Sequence, residues 1–169
     1  MDTITALENG KSLVAEWVLE SATPEPHRLD VWIATENLKA AVAAIMDAPW
    51  GYLMTITGLD HAAKLDENGQ ETQPGMLEGL YHFANGAAVL TLRIKIPYTA
   101  TEIPSICEII PSATIYEREF IELLGVDIFD TPDKSRLVLP DTWPVGVYPL
   151  RKSFTGLSKE QFDNKEVQA

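Results

Sequence analysis

At 169 residues, with 46 % hydrophobic and 22 % charged side chains, the chain has the balance of one globular domain around a single sizeable core. Its net charge of −12 argues against the phosphate backbone of nucleic acid and against anionic lipid as partners. No apolar run approaches the roughly 20 residues that span a bilayer, the N-terminus MDTITALENGK lacks the basic-then-apolar order of a signal peptide, and the lone Cys107 excludes an internal disulfide and fits a reducing compartment.

In chain order, Asp2 to Asn9 is expected to form a short helix ended by Gly10. Ser12 to Ser21 is expected to be a strand with Trp17 and Leu19 on one face, a helix being the alternative, and TPEP a turn. Arg28 to Ala34 alternates like a strand. Thr35 then stands where an N-cap belongs for ENLKAAVAAIMDA, which puts Leu38, Val42, Ile45 and Met46 on one side and ends at Pro49. A strand from Tyr52, YLMTITGLD, leads into the polar loop KLDENGQETQPG. Met76 to Phe83 and Ala88 to Ile96 make two further strands, joined at Asn85-Gly86 as a hairpin. IPSICEII predicts one or two helical turns, and Ser112 is placed to cap a helix that runs to Leu124 and stops at Gly125. From Val126 onward prolines, glycines and isolated hydrophobics replace any period. The expected fold is α+β: residues 1–125 form a mixed or antiparallel sheet of about four to five strands with helices on one face, and residues 126–169 form an extended C-terminal arm. The polar end, residues 155–169, is expected to fray.

No chemistry-bearing motif stands out. His27, His61 and His82 fall on different elements, no glycine-rich phosphate loop or Gly-x-Ser-x-Gly elbow is present, and Cys107 has no basic partner in view, which makes it a small core residue. The last helix carries Glu117-Arg118-Glu119 between Tyr116 and Phe120. Glu117 and Glu119 project about 200° apart on a helix, so they form no general acid/base pair. Arg118 and Glu122 are i, i+4 neighbours and are expected to pair, while Tyr116, Phe120, Leu123 and Leu124 make the apolar face with Glu119 at its edge. An ordinary solvated helix face is the alternative.

The segment RLVLPDTWPVGVYPLRKSF, Arg136 to Phe154, shifts that balance. Pro140, Pro144 and Pro149 forbid a continuous helix or central strand. Trp143, Tyr148, Leu150 and Phe154 are large side chains on an irregular chain, with Arg136, Arg151 and Lys152 among them. Aromatic, Arg and Pro residues in an extended segment suit a peptide that wraps a partner; the alternative is a tail folded back over its own sheet.

IPSICEIIPSATIYEREFIELLGVDIF, followed by RLVLPDTW and YPLRKSF, resembles the C-type subunit of complex I, NADH:quinone oxidoreductase, and the related subunit of membrane-bound [NiFe] hydrogenases. The shared marks are Glu117-Arg118-Glu119, Glu122, Gly125-Val126, Arg136 to Pro140, Trp143 and Pro149-Leu150-Arg151-Lys152. Ile110, Thr131 and Ser153 depart from the family's usual Trp, His and Asp, and the longer WPVGVYPLRK is closer to the hydrogenase branch. The resemblance implies a subunit with no catalytic, metal or cofactor residue of its own, the iron–sulfur clusters, flavin, quinone or nickel–iron centre residing in partner subunits. It implies a peripheral position on the cytoplasmic side of the membrane, held by a D-type, hydrogenase-like large subunit and neighbouring peripheral-arm subunits. Tyr116, Glu117, Arg118, Glu119, Glu122, Arg136, Trp143, Pro149, Leu150, Arg151 and Lys152 are then structural or interface residues, the triplet acting as a latch. An enzyme using Glu117, Glu119 or Glu122 and a free-standing binding module are the readings from other classes.

Overall fold

The computed structural model describes residues 2–158. Three helices, α1 (Thr3–Leu13), α2 (Leu38–Asp47) and α3 (Ala113–Leu124), accompany nine strands: β1 (Glu20–Glu25), β2 (Arg28–Trp32), β3 (Tyr52–His61), β4 (Lys64–Leu65), β5 (Glu71–Gln73), β6 (Met76–Asn85), β7 (Ala88–Pro97), β8 (Glu102–Pro104) and β9 (Asp127–Phe129). Five of them make one mixed sheet in the order β1-β2-β7-β6-β3, with β2 parallel to β7 and the other pairs antiparallel. β4-β5 and β8-β9 are separate two-stranded ribbons. The fold is therefore the expected α+β arrangement.

Strand alternation assigns the faces. Register places Leu29 beside Leu90, Val31 beside Leu92, Tyr81 beside Leu92 and Ile56, and Phe83 beside Leu90. These residues are buried in one core with Ala6, Leu7, Leu38, Val42, Ile45 and Phe120 of the helices. All three helices thus lie on one face. α3 approaches the sheet closely because β3 and β6 offer Gly58 and Gly79 side by side beneath Phe120. A β-carbon on Gly58 would collide with Phe120 and Leu124.

Several local expectations change. α1 runs through Gly10 to Leu13, so Ser12 to Ser21 is not a strand; a 3-10 turn (Ala15–Trp17) follows, and β1 begins only at Glu20. The reason is tertiary. Ala6, Leu7 and Gly10 bury one helix face, and a β-carbon on Gly10 would sit 2.8 Å from the Trp50 ring, whose Nε1 donates to the Ala6 carbonyl at 2.8 Å. Thr23 to Glu25 belong to β1, and the turn is shifted to Pro26-His27. Thr35 opens a 3-10 turn instead of capping α2, its hydroxyl donating to the Lys95 carbonyl. Within IPSICEII, Ile103 and Pro104 finish β8 and a single turn at Ile106–Ile110 follows. Residues 64–73 carry the β4–β5 ribbon where a plain loop was expected.

α3 stops as expected: Gly125 is left-handed at φ +69° and its N–H reaches the Ile121 carbonyl at 2.9 Å. Beyond it the chain adds β9 alongside β8 and then follows an irregular course back across α3. Of the end expected to fray, residues 159–169 lie outside the described residues.

Candidate functional site: the helix and arm junction

An irregular arm has no ladder, so its peptide groups need other partners. Here they are bound by side chains singled out in the sequence and by Asp60, which was missed and which Tyr98 supports. The Arg118 guanidinium donates to the Ser135 carbonyl at 2.9 Å and to the Arg136 carbonyl at 2.6 Å, and it lies 3.4 Å from Asp133. One turn along α3, the Glu122 carboxylate accepts the Leu137, Val138 and Leu139 N–H groups at 3.1, 2.8 and 2.8 Å. The expected Arg118–Glu122 ion pair is therefore absent. Each residue takes one polarity of the arm's backbone, carbonyls for the arginine and amides for the glutamate. Burial alone would raise the Glu122 carboxyl, but the three N–H donors and Arg136 outweigh it and hold it below the usual range.

Further on, Arg136 folds the arm on itself, donating to the carbonyls of Pro140 (2.5 Å), Asp141 (3.2 Å) and Trp143 (2.6 Å). The Trp143 indole donates to the Val147 carbonyl at 2.8 Å and tilts against Phe154 with ring centroids 6.0 Å apart. Pro149 is half-buried and Leu150 exposed, the Leu150 N–H reaching the Leu123 carbonyl. Arg151 donates to the Leu124 carbonyl at 2.5 Å, one of the carbonyls that a helix end leaves unpaired, and lies over Tyr98 and Tyr148. The Lys152 N–H donates to Asp60 Oδ2 at 2.6 Å, and the Tyr98 hydroxyl donates to the other oxygen. Asp60 and Tyr98 were missed. The signal lay in TITGLD, where alternation puts Asp60 on the same face as Ile56 and Gly58, an acid at a core position.

Glu117 points away from this arm. It is fully buried and accepts from Ser105 Oγ (2.8 Å), the Ile106 N–H (2.8 Å) and Cys107 Sγ (3.2 Å), tying α3 to the turn after β8. Ser105 was missed as well. Burial pushes the Cys107 thiol up, so it stays protonated at neutral pH. Tyr116 packs on the core. The Glu119 side chain, half exposed, makes no hydrogen bond or ion pair among the described residues. The triplet is thus divided: one inward anchor, one clamp on the arm and one solvent-facing acid. Among the described residues no three His, Cys, Asp or Glu side chains are placed to hold a metal ion, and no helix is long and apolar enough to cross a membrane.

Residues 31–160 match the family model described as the respiratory-chain NADH dehydrogenase 30 kDa subunit, which covers most of the chain, α3 and the described arm included. The chain belongs to that family. It is 29 % identical over 159 residues to the C-type subunit of the F(420)H(2) dehydrogenase of Methanosarcina mazei, covering 92 % of this chain and 94 % of that one. It is 28 % identical to the C/D subunit of the NADH-quinone oxidoreductase of Erwinia tasmaniensis over 81 % of this chain, spanning 23 % of that longer protein. A chain of the membrane-bound sulfane sulfur reductase, an archaeal respiratory membrane complex, superposes with a TM-score of 0.64 at 18 % identity over 98 % of this chain and 92 % of the other, a likeness of fold.

Proposed function

We propose that this chain is a non-catalytic, peripheral-arm subunit, of the C type, of a complex I-type oxidoreductase, and that it scaffolds a D-type, hydrogenase-like large subunit during redox-driven ion pumping. The observation that carries this is the arm. Its peptide groups are held by Arg118, Glu122 and Arg136, and its Arg151 binds back to the Leu124 carbonyl at the end of α3, while Leu137, Val138, Val145 and Leu150 stay exposed, Val145 at 95 %. A backbone fixed from within and apolar side chains left outside make a preorganised docking ridge, which lowers the ordering cost of association. The carboxylates of α3 support a structural role too, since Glu117 and Glu122 already accept three hydrogen bonds each from their own chain. Electron carriers then belong to partner subunits, and the assembly sits on the cytoplasmic face of the membrane. The relative whose name joins C and D in one chain fits a D-type partner.

The longer WPVGVYPLRK segment favours a second reading within the same class, the equivalent subunit of an energy-converting [NiFe] hydrogenase. The two differ in the partner: a large subunit with paired CxxC motifs marks the hydrogenase. The test is recovery of the tagged full chain from detergent-solubilised membranes of its source organism. The large subunit should accompany it, and Val145→Asp with Leu150→Asp should abolish that association while the chain stays folded. An unaffected association would remove the docking role from the arm; recovery of the chain alone would remove the subunit reading.

A further inference from the structure

The face of the sheet opposite the helices carries a second constellation. Arg93 on β7 donates to both oxygens of Glu78 (2.8 and 2.7 Å) and to Asp30 (2.8 Å), while its guanidinium stacks 4.5 Å over Trp32. Arg28 also holds Asp30, and Trp32 Nε1 and His61 Nε2 each lie 2.9 Å from Glu78. Asp30 and Glu78 are each only 3 % exposed although no helix covers them. Desolvated charges are tolerated only when every lone pair is answered, and such networks fix geometry more than they stabilise. This network is therefore a rigid, charge-satisfied floor.

Over the floor lies an open cleft of about 550 Å³. Trp32, Glu78 and Arg93 line its base, and Lys64 of the β4–β5 ribbon, Lys95 of β7 and Glu20 of β1 line its rim. The Lys64 and Lys95 ammonium groups pair with no carboxylate among the described residues, and Glu20 makes no ion pair either. The carboxylates of the floor are already engaged. Two unpaired ammonium groups against the one unpaired carboxylate of Glu20 leave the rim net positive in a chain of net charge −12, which complements an incoming carboxylate. Leu59, beside Glu78 in register, is 44 % exposed on the same face, and Leu65 on the ribbon is 62 % exposed. Trp32 and the apolar edge supply the kind of anchor favoured at interfaces, with the lysines as its charged rim.

We propose that this cleft receives an acidic segment of a neighbouring subunit, its carboxylate between Lys64 and Lys95 and its apolar side chains against Leu59 and Trp32. The inference rests on the subunit reading above and deepens it. The arm docks on the helix side and the cleft on the opposite sheet face, so the chain is a spacer clamped between two partners.

The test uses the complex purified from source membranes. Zero-length carbodiimide crosslinking should join Lys64 or Lys95 to Asp or Glu of a different chain, and both lysines should acetylate at least 10-fold more slowly in the complex than in the isolated chain. Lys64→Glu with Lys95→Glu should abolish the crosslink yet leave the arm's partner bound. If the large subunit is retained while both lysines react as fast as in the free chain, the inference fails and the subunit reading stands. Links only to a second copy of this chain, or protection that dialysis removes as a small anion, would also overturn it. A chain recovered with no partner would end the subunit reading and this inference together.

Discussion

Glu122→Gln isolates the clamp on the arm. The wild-type carboxylate accepts three amides of Leu137, Val138 and Leu139. The amide keeps one acceptor oxygen, loses the charge and turns an N–H₂ donor toward N–H groups. Leu137 and Val138 share Oε2, so the amide oxygen there keeps both as neutral bonds and the Leu139 bond to Oε1 is lost. Hydrogen bonds to a charged acceptor are worth about 1.5–3 kcal/mol each when buried. One loss plus two weakened bonds, reduced by the partial exposure of Glu122, leaves about 1.5–3 kcal/mol in total. The loss falls on local opening of the arm and not on global unfolding, because the core packs independently of residues 137–139. Amide hydrogen exchange should therefore accelerate about 10- to 150-fold at residues 137–139, at about 1.4 kcal/mol per tenfold, while the urea midpoint moves little. Glu119→Gln, which removes no contact, is the control. Unchanged exchange at 137–139 would refute the clamp, and equal acceleration across β6 and β7 would mean that the arm is part of the global folding unit.

Phe120→Ala should cost about 3–5 kcal/mol in urea unfolding, since Phe120 is 3 % exposed and fills the space over Gly58 and Gly79; a loss under 1 kcal/mol would contradict the close α3–sheet packing. Stability should fall with acid in two stages. Burial holds His82 below its ordinary 6.5, so the unfolded chain takes that proton first and stability declines as pH drops below about 6.5. Glu78 and Glu122, held below 4.5 by their donors against the opposing effect of burial, contribute stability that is complete above 4.5 and lost as pH falls through their lowered values. His82→Gln should flatten the first stage only; a urea midpoint constant from pH 7 to pH 5 would contradict the His82 assignment, and one that falls no further as pH drops below 4.5 would contradict the Glu78 and Glu122 assignment.

What the sequence made legible is what is local. Gly125 after an amphipathic run, Asn85-Gly86 between alternating strands and the apolar stripe of α2 each carry their structure in a few adjacent residues, and each is found. Arg118 and Glu122 show the limit. Spacing pairs them with each other, yet an arm without a ladder offers carbonyls at 135–136 and amides at 137–139, and both side chains are drawn to those instead. Asp60, Tyr98 and Ser105 were invisible as partners because their contacts span up to 92 residues of chain. Gly10 shows the same effect in the fold: by propensity it ends α1, but packing under Trp50 carries the helix through it.

The most direct test of the docking account is a solvent footprint of the arm in two states. Hydroxyl-radical labelling of Leu137, Val138, Val145 and Leu150, all exposed in the isolated chain, is measured before and after assembly. The account predicts strong protection of these side chains in the purified complex, with Ile4 and Leu19 on α1 and before β1 still labelled. Equal labelling of the arm in the free chain and in an intact complex would contradict it.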